Sequence, residues 1–222
     1  MSRCRLATVL SCLAVAALAA TAPASVITFD DLPVGYEYGS DEPSTAPIPD
    51  GYGELHWSDS FYVMDTSMYL QDNGPSGYSN CVVSGTQVAF NAYGDSVWVD
   101  DGSTFDFTSV WLGAAWNDDL NITVEGYLGD VLLYSTTVVA QYAEPQEYYF
   151  YYAGIDRISF YSWGGTDHDP SDFVWGDHFV MDDMVINDGY VPISNVPAPA
   201  AVASLMMGLA CLAGCRRYMF KA

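Results

Sequence analysis

The stretch "TFDFTSVWLGAAW", residues 104–116, decides how the rest of the chain is read. Phe105 and Phe107 alternate with Thr104, Asp106 and Thr108, and the run continues through Val110, Trp111 and Leu112. A period of two puts alternate side chains on opposite faces of an extended backbone, and aromatic and β-branched residues suit a pleated, half-buried surface. The same signature recurs on both sides of it. "VITFD" (26–30), "ELHWSDSFYVM" (54–64), "QVAFNAYG" (87–94), "DSVWVDDG" (95–102) and "NITVEGYLG" (121–129) show it. So do "DVLLYSTTVVAQY" (130–142), "EYYFYYAG" (147–154), "IDRISFYSWGG" (155–165) and "HFVMDDMVIN" (178–187). Gly, Asn, Asp or Pro bounds these runs.

No stretch within residues 25–190 keeps an apolar face at helical spacing for three turns, so the expectation is an all-β domain. A jelly-roll-like β-sandwich is favoured over an immunoglobulin-like one because the Cys, Trp, Cys framework is missing. "EGYLGD" is the clearest hairpin, with Gly126, Gly129 and Asp130 between returning strands. Residues 33–53 read as a long loop, and no internal repeat is evident.

The two ends are of a different kind. Arg3 and Arg5 precede an apolar run over 6–20 and then "TAPAS", which reads as a signal peptide over residues 1–24, with small Ala22 and Ala24 before a mature start near Ser25. A lipoprotein reading would need Cys12, but "VLSC" falls inside the apolar run. At the other end, residues 191–199 are a Pro-containing linker, and residues 200–215 carry no charge. As a helix they would cover about 24 Å of a hydrocarbon core roughly 30 Å thick. Arg216, Arg217 and Lys221 follow at once, so residues 200–222 read as a transmembrane helix with a basic cytoplasmic end, which places the domain outside.

The motif Val196-Pro197-Ala198-Pro199, the apolar segment and the Arg216-Arg217 cluster together resemble the PEP-CTERM sorting signal. That resemblance implies an exosortase-like membrane protease as partner, transient anchoring in the inner membrane, and delivery to the surface or extracellular matrix of a Gram-negative bacterium. Ala198 stands where the family has Glu, a departure that bears on cleavage rather than on membrane insertion. A glycolipid-anchor signal is the competing reading, but such tails end apolar.

Between the ends lie about 170 residues, enough for one domain with its own core. All 28 carboxylates fall in this segment and Arg157 is its one base, a net of −27. Abundant Trp, Tyr and Phe argue against an acidic disordered tail. Such self-repulsion must be offset by cations, and nucleic acid is excluded as a partner. Cys81 is the one cysteine outside the two end segments and reads as a small buried residue; no CxxC pair exists.

Two constellations could carry chemistry. "ITFDD" and "FVMDD" each end an apolar strand in two carboxylates, Asp30 and Asp31 near the mature start and Asp182 and Asp183 near the domain's end. Adjacent Asp residues and carbonyls can supply calcium's hard oxygen ligands, although doublets beside a turn also simply point into water. The pattern resembles galactose-binding-like and carbohydrate-binding-module sandwiches. That resemblance implies side-by-side terminal strands with a structural calcium held by Asp30, Asp31, Asp182 and Asp183.

The second constellation is "SWGGTDHDPSDFVWGDHF", residues 162–179. Trp163 and Trp175 offer flat apolar faces for a sugar ring, and Asp167, His168, Asp169, Asp172 and Asp177 offer planar acceptors and donors for its hydroxyls. The bland alternative is a solvated loop with its Trp side chains packed on the sandwich edge. A transition-metal site from His168 and His178 lacks ligand spacing. The turn "WNDD" at 116–119 is a third polar feature. GxSxG, HExxH and Gly-rich phosphate loops are missing, so the expectation is a non-catalytic exported protein that binds extracellular polysaccharide. A secreted polysaccharide hydrolase using loop carboxylates is the alternative.

Overall fold

The computed structural model describes residues 24–170 and 176–187. They belong to one compact unit, Ala22–Val191. The signal peptide, linker, sorting motif and membrane segment expected from the sequence lie outside the described residues, as do Asp172 and Trp175.

Among the described residues there are twelve strands, two short α-helices and three single-turn 3-10 helices. The strands are β1 (Ser25–Ile27), β2 (Thr45–Pro47), β3 (His56–Trp57), β4 (Phe61–Asp65), β5 (Gln87–Asn91) and β6 (Val97–Ala114). They continue with β7 (Asn117–Asp118), β8 (Leu120–Leu128), β9 (Val131–Ala140), β10 (Gln146–Trp163), β11 (Thr166–Asp167) and β12 (Phe179–Ile186). The quoted stretch at 104–116, up to Ala114, is the second half of β6, an 18-residue strand that also takes in most of "DSVWVDDG". Likewise "EYYFYYAG" and "IDRISFYSWGG" are one strand, β10.

These two long strands pair over most of their length, Gln146–Phe160 against Val97–Leu112, with register shifts between Tyr149 and Arg157. Bulges let both bend. Beyond the bend their second neighbours change: the C-terminal part of β6 pairs with β12, while the N-terminal part pairs with β3. The C-terminal part of β10 pairs with β8, and β9 follows at the edge. Hydrogen bonding therefore runs β2-β4-β5-β12-β6-β10-β8-β9 without a break, and the bent strands carry the chain from one layer of the sandwich into the other. β1 lies antiparallel to β12, Val26 opposite Val185, so the terminal strands are neighbours. β8 and β9 are joined through Gly129 and Asp130, where the hairpin was expected.

Phe61 stands at the centre of the core. Its ring meets Trp57 at 5.0 Å edge-on, Phe179 at 6.0 Å and Phe160 at 6.1 Å, so one side chain of β4 touches β3, β12 and β10. Ile122, Val124, Leu112 and Phe107 pack in the same cluster.

Two expectations are corrected, and one segment gains structure that the sequence did not mark. "ELHWSDSFYVM" is not one strand, because Ser58 to Ser60 turn the chain between β3 and β4: Phe61 N–H donates to the Ser58 carbonyl at 2.9 Å. The loop at 33–53 contains β2, which pairs with β4. Two helices also lie between β4 and β5, α1 (Thr66–Asn73) and α2 (Gly77–Asn80). Asp65 caps α1, its Oδ1 accepting from Ser67 and Met68 N–H at 2.9 and 3.1 Å. Gly74 ends it.

The 66–81 segment covers the outer side of the β4-β5-β12 sheet, and a second apolar cluster of Met64, Tyr78, Cys81, Val88, Phe90 and Val180 forms there. All five residues of β5 are consequently buried. Gly113 permits this approach, since a methyl group there would collide with Cys81 Sγ.

Phe61→Ala removes a ring that joins both layers and should cost about 3–5 kcal/mol of stability in urea unfolding. A loss under about 1 kcal/mol would show that the layers do not share this core.

Candidate functional site

Two groups of polar side chains were singled out in the sequence, and the structure treats them differently. The aspartate doublets converge on the 83–87 loop. Asp182, only 1 % exposed, accepts N–H from Val83 and Ser84 on Oδ2 at 2.8 and 3.0 Å, and from Asp183 on Oδ1 at 2.8 Å. Asp30 Oδ1 accepts from Thr86 and Gln87 N–H at 2.9 and 3.1 Å, and Asp183 Oδ1 accepts from Ser84 Oγ at 2.7 Å. Asp31 is held apart from them by Tyr52, whose hydroxyl donates at 2.8 Å.

These carboxylates fasten a loop with hydrogen bonds, which the buried Asp182 in particular requires. A calcium ion would compete with the N–H donors for the same lone pairs of Asp30 and Asp182. The fit is poor on the loop side and is confined to oxygens that the loop does not engage. Among the described residues, no three His, Cys, Asp or Glu side chains are gathered as a metal set. Gly85 completes the staple: a Cβ there would strike the Asp30 carboxylate.

The 162–179 constellation separates into parts. Trp163 is exposed at the end of β10, with its carbonyl accepting from Asn121 Nδ2 at 3.3 Å. His168 stacks on Tyr142 at 3.9 Å and pairs through Nδ1 with Asp118 Oδ2 at 2.7 Å. Asp169 donates its N–H to Asp167 Oδ1 at 3.2 Å. His178 lies elsewhere, with Nδ1 2.6 Å from the Tyr78 hydroxyl, so the two histidines form no common site. Asp167 and Asp177 do share a cavity of about 490 Å³ with Asn117, Tyr93 and His178.

A second cavity of about 450 Å³ adjoins the first at Tyr93 and His178. Its walls are aromatic: Tyr62, Tyr69, Tyr93 and Trp116, over a floor of Tyr78 and Phe90. Tyr78 lies edge-on to Phe90 at 5.2 Å, to Trp116 at 5.4 Å and to Tyr69 at 5.5 Å. The α1–α2 segment supplies Tyr69 and Tyr78, β5 supplies Phe90, and the turn after β6 supplies Trp116. Asp41 and Glu42 stand on the rim.

Tyr93 decides the character of this cavity. It is 74 % exposed, edge-on to Tyr62 at 6.4 Å, and held at φ 63. A non-glycine residue in that region costs roughly 1–2 kcal/mol, and a large exposed aromatic gains nothing from it by burial.

Asn91, fully buried, fixes the turn that carries Tyr93. Its Nδ2 donates to the carbonyls of Asp95 and Asp177 at 3.0 and 3.3 Å and to Ser162 Oγ at 3.1 Å, while its Oδ1 accepts Phe179 N–H at 2.7 Å. Ser162 Oγ also donates to the Asp177 carbonyl. One amide thus ties Tyr93, Asp177 and His178 into a single arrangement. None of Tyr62, Tyr69, Tyr93, Asn91 or the Asp41-Glu42 pair was read as functional from sequence; the aromatic tip of "FNAYGD" was the available signal.

Burial sets the electrostatics. It lowers His178 to about 4, so the imidazole is neutral at ordinary pH. It raises Asp177 and lifts Asp182 to about 6, in the latter case against the pull of the N–H donors. Burial also pushes the Cys81 thiol up to about 12; this free cysteine is buried and inert.

No protein family matches the chain, and no curated protein matches it. Among solved structures, a family 61 carbohydrate-binding module in complex with β-1,4-galactotriose is 14 % identical, over 68 % of this chain and 92 % of its own, with a TM-score of 0.33. A family 51 module from Clostridium perfringens in complex with methyl-galactose is 11 % identical over 73 % and 99 %, with a TM-score of 0.30. A tandem of two family 22 modules from Paenibacillus barcinonensis is 12 % identical over 82 % and 50 %, with a TM-score of 0.31.

The shifts of His178 and Asp182 oppose each other. Between about pH 4 and 6.5 the unfolded chain protonates His178 and the folded chain does not, so that contribution to stability falls as the pH falls. Asp182 holds its proton more tightly when folded, so its contribution is present below pH 3.8 and is lost as the pH rises through about 6. In Asp182→Asn only the first remains. Urea midpoints of the variant relative to the parent should therefore rise from acid to neutral pH, and parallel profiles would refute the assignment. The same melts in calcium and in chelator decide calcium: identical midpoints remove it.

Proposed function

We propose that the domain is a non-catalytic, exported saccharide-binding module. The observation that carries this reading is Tyr93, an exposed aromatic in a costly backbone conformation over a cavity walled by other aromatic rings. Strained residues persist where the surroundings over-determine them, and they cluster at ligand sites. A sugar ring has an apolar C–H face that stacks on an aromatic side chain and a periphery of hydroxyls that needs hydrogen-bonding partners. The paired cavities offer both, with Asp167, Asp177 and Asn117 beside the aromatic walls. Extracellular polysaccharide is the natural target of such a site on an exported chain. Calcium belongs to this reading only through oxygens of Asp31 and Asp183 that the 83–87 loop does not engage.

The purified full chain should retain specific oligosaccharides on a glycan array without degrading them, and Tyr93→Ala should weaken that binding at least tenfold, about 1.4 kcal/mol. Binding unchanged by Tyr93→Ala would place any glycan site elsewhere. The hydrolase alternative is favoured by one observation, that Asp167 and Asp177 face a common cavity and burial raises Asp177. Loss of a labelled polymer, abolished by Asp177→Asn, would establish it instead.

Sorting through the PEP-CTERM-like tail, with inner-membrane anchoring and release by an exosortase-like protease, completes the proposal. Mass spectrometry of the protein recovered from cells should find a mature start near Ser25 and a C-terminus near Ala198. An intact polypeptide in the cytoplasm would refute export.

A further inference from the structure

The charge around the aromatic cavity restricts which sugar it can hold, and the restriction rests on the saccharide-binding reading above. Asp41 and Glu42 stand on the rim of the cavity beside Tyr62, Tyr69, Tyr93 and Trp116. Asp41 lies close enough to Tyr62 for its charge to help raise that phenol, after burial and the neighbouring Tyr93 hydroxyl. Asp167 and Asp177 line the adjoining lobe.

Among the described residues, no Lys or Arg answers these carboxylates. Arg157 is the only Lys or Arg among the described residues, and its guanidinium lies 4.6 Å over the Tyr127 ring, in a separate depression with Asp100, Asp130 and Asp156. His178, at the junction of the lobes, is neutral and bonded to Tyr78. The cavity therefore combines π faces with uncompensated negative charge.

Each saccharide class meets that combination differently. A uronate would bring like charge against the rim. A neutral sugar would stack but leave the carboxylates to water. An ammonium group on a stacked ring satisfies both features, because the faces of Tyr and Trp attract cations and the rim carboxylates attract them again. We propose that the cavity takes a cationic sugar: a 2-amino-2-deoxy hexose with a free amine, as found in a deacetylated amino-sugar polymer. The ring stacks on Tyr93, and the ammonium lies toward Asp41 and Glu42.

The experiment is calorimetric titration of the purified full chain with three probes of equal length: a glucosamine oligomer, its N-acetylated form and a galacturonate oligomer. The free-amine oligomer should bind about tenfold tighter than the N-acetylated one, the combined size of a cation–π contact and a rim ion pair. The galacturonate oligomer should give no heat. In the Asp41→Asn/Glu42→Gln variant the preference should vanish while N-acetylated binding stays unchanged, which also shows that the exposed rim can be altered without unfolding. Tyr93→Ala should weaken both amino-sugar probes.

A chain this acidic attracts any polycation, so Asp101→Asn/Asp130→Asn removes the same charge away from the cavity. If that variant loses the preference equally, the attraction is bulk electrostatics and the proposal is overturned. N-acetylated binding equal to or tighter than free-amine binding overturns it while leaving the saccharide reading intact. Silence from every oligosaccharide, here and on the array, would remove the saccharide reading itself.

Discussion

Everything in this fold depends on two long strands bending together. β6 and β10 pair over most of their length, yet beyond the bend their outer neighbours change from β12 to β3 and β8. Breaks in register between Tyr149 and Arg157, with Tyr151 and Gly154 at positive φ, supply the curvature. A flat pair of that length would leave one apolar face in water. The bent pair turns both inner faces onto one core, where Phe61 meets Phe160 and Phe179.

The second constraint is charge. A domain with 28 carboxylates and one arginine cannot offset them with ion pairs, so it keeps them at the surface or gives them N–H donors. Asp182 is the extreme case, a carboxylate buried beneath the 83–87 loop and held by three backbone N–H groups. Its place in a β12 bulge, with Asp183 at φ 44, lets the doublet reach the 83–87 loop. What reads in sequence as an acidic motif is, in space, the fastening of a loop to the terminal strands.

The candidate site arises from the covering of an outer face. Once α1 and α2 lie over β4, β5 and β12, side chains that alternation would send to solvent become the floor and walls of a cavity. Asn91 then links the Tyr93 turn to residues 177–179, joining segments more than eighty positions apart. The same covering removes solvent from His178, which keeps the imidazole neutral and leaves the negative charge of the site unanswered.

The sequence by itself determined the all-β class, most of the strands, the β8–β9 hairpin and the charge of the domain. Period-two alternation and turn residues are local signals, and charge is a count. It also marked β1 and β12 as the apolar runs beside the two aspartate doublets, and these strands are neighbours; but Asp182 and Asp183 lie within β12 rather than at its end, and Asp30 and Asp31 lie in the turn after β1. α1 escaped notice because eight mostly exposed residues carry no apolar stripe, and its start is marked only by the Asp65 cap. Tertiary structure alone decided that β6 and β10 are single bent strands, and that Asp167 and Asp177 meet while Trp163 and His168 stand apart. It alone surrounded Tyr93 with Tyr62, Tyr69 and Trp116. These are long-range juxtapositions, fixed by packing and by one buried amide, and no local pattern of residues encodes which distant side chains will share a cavity.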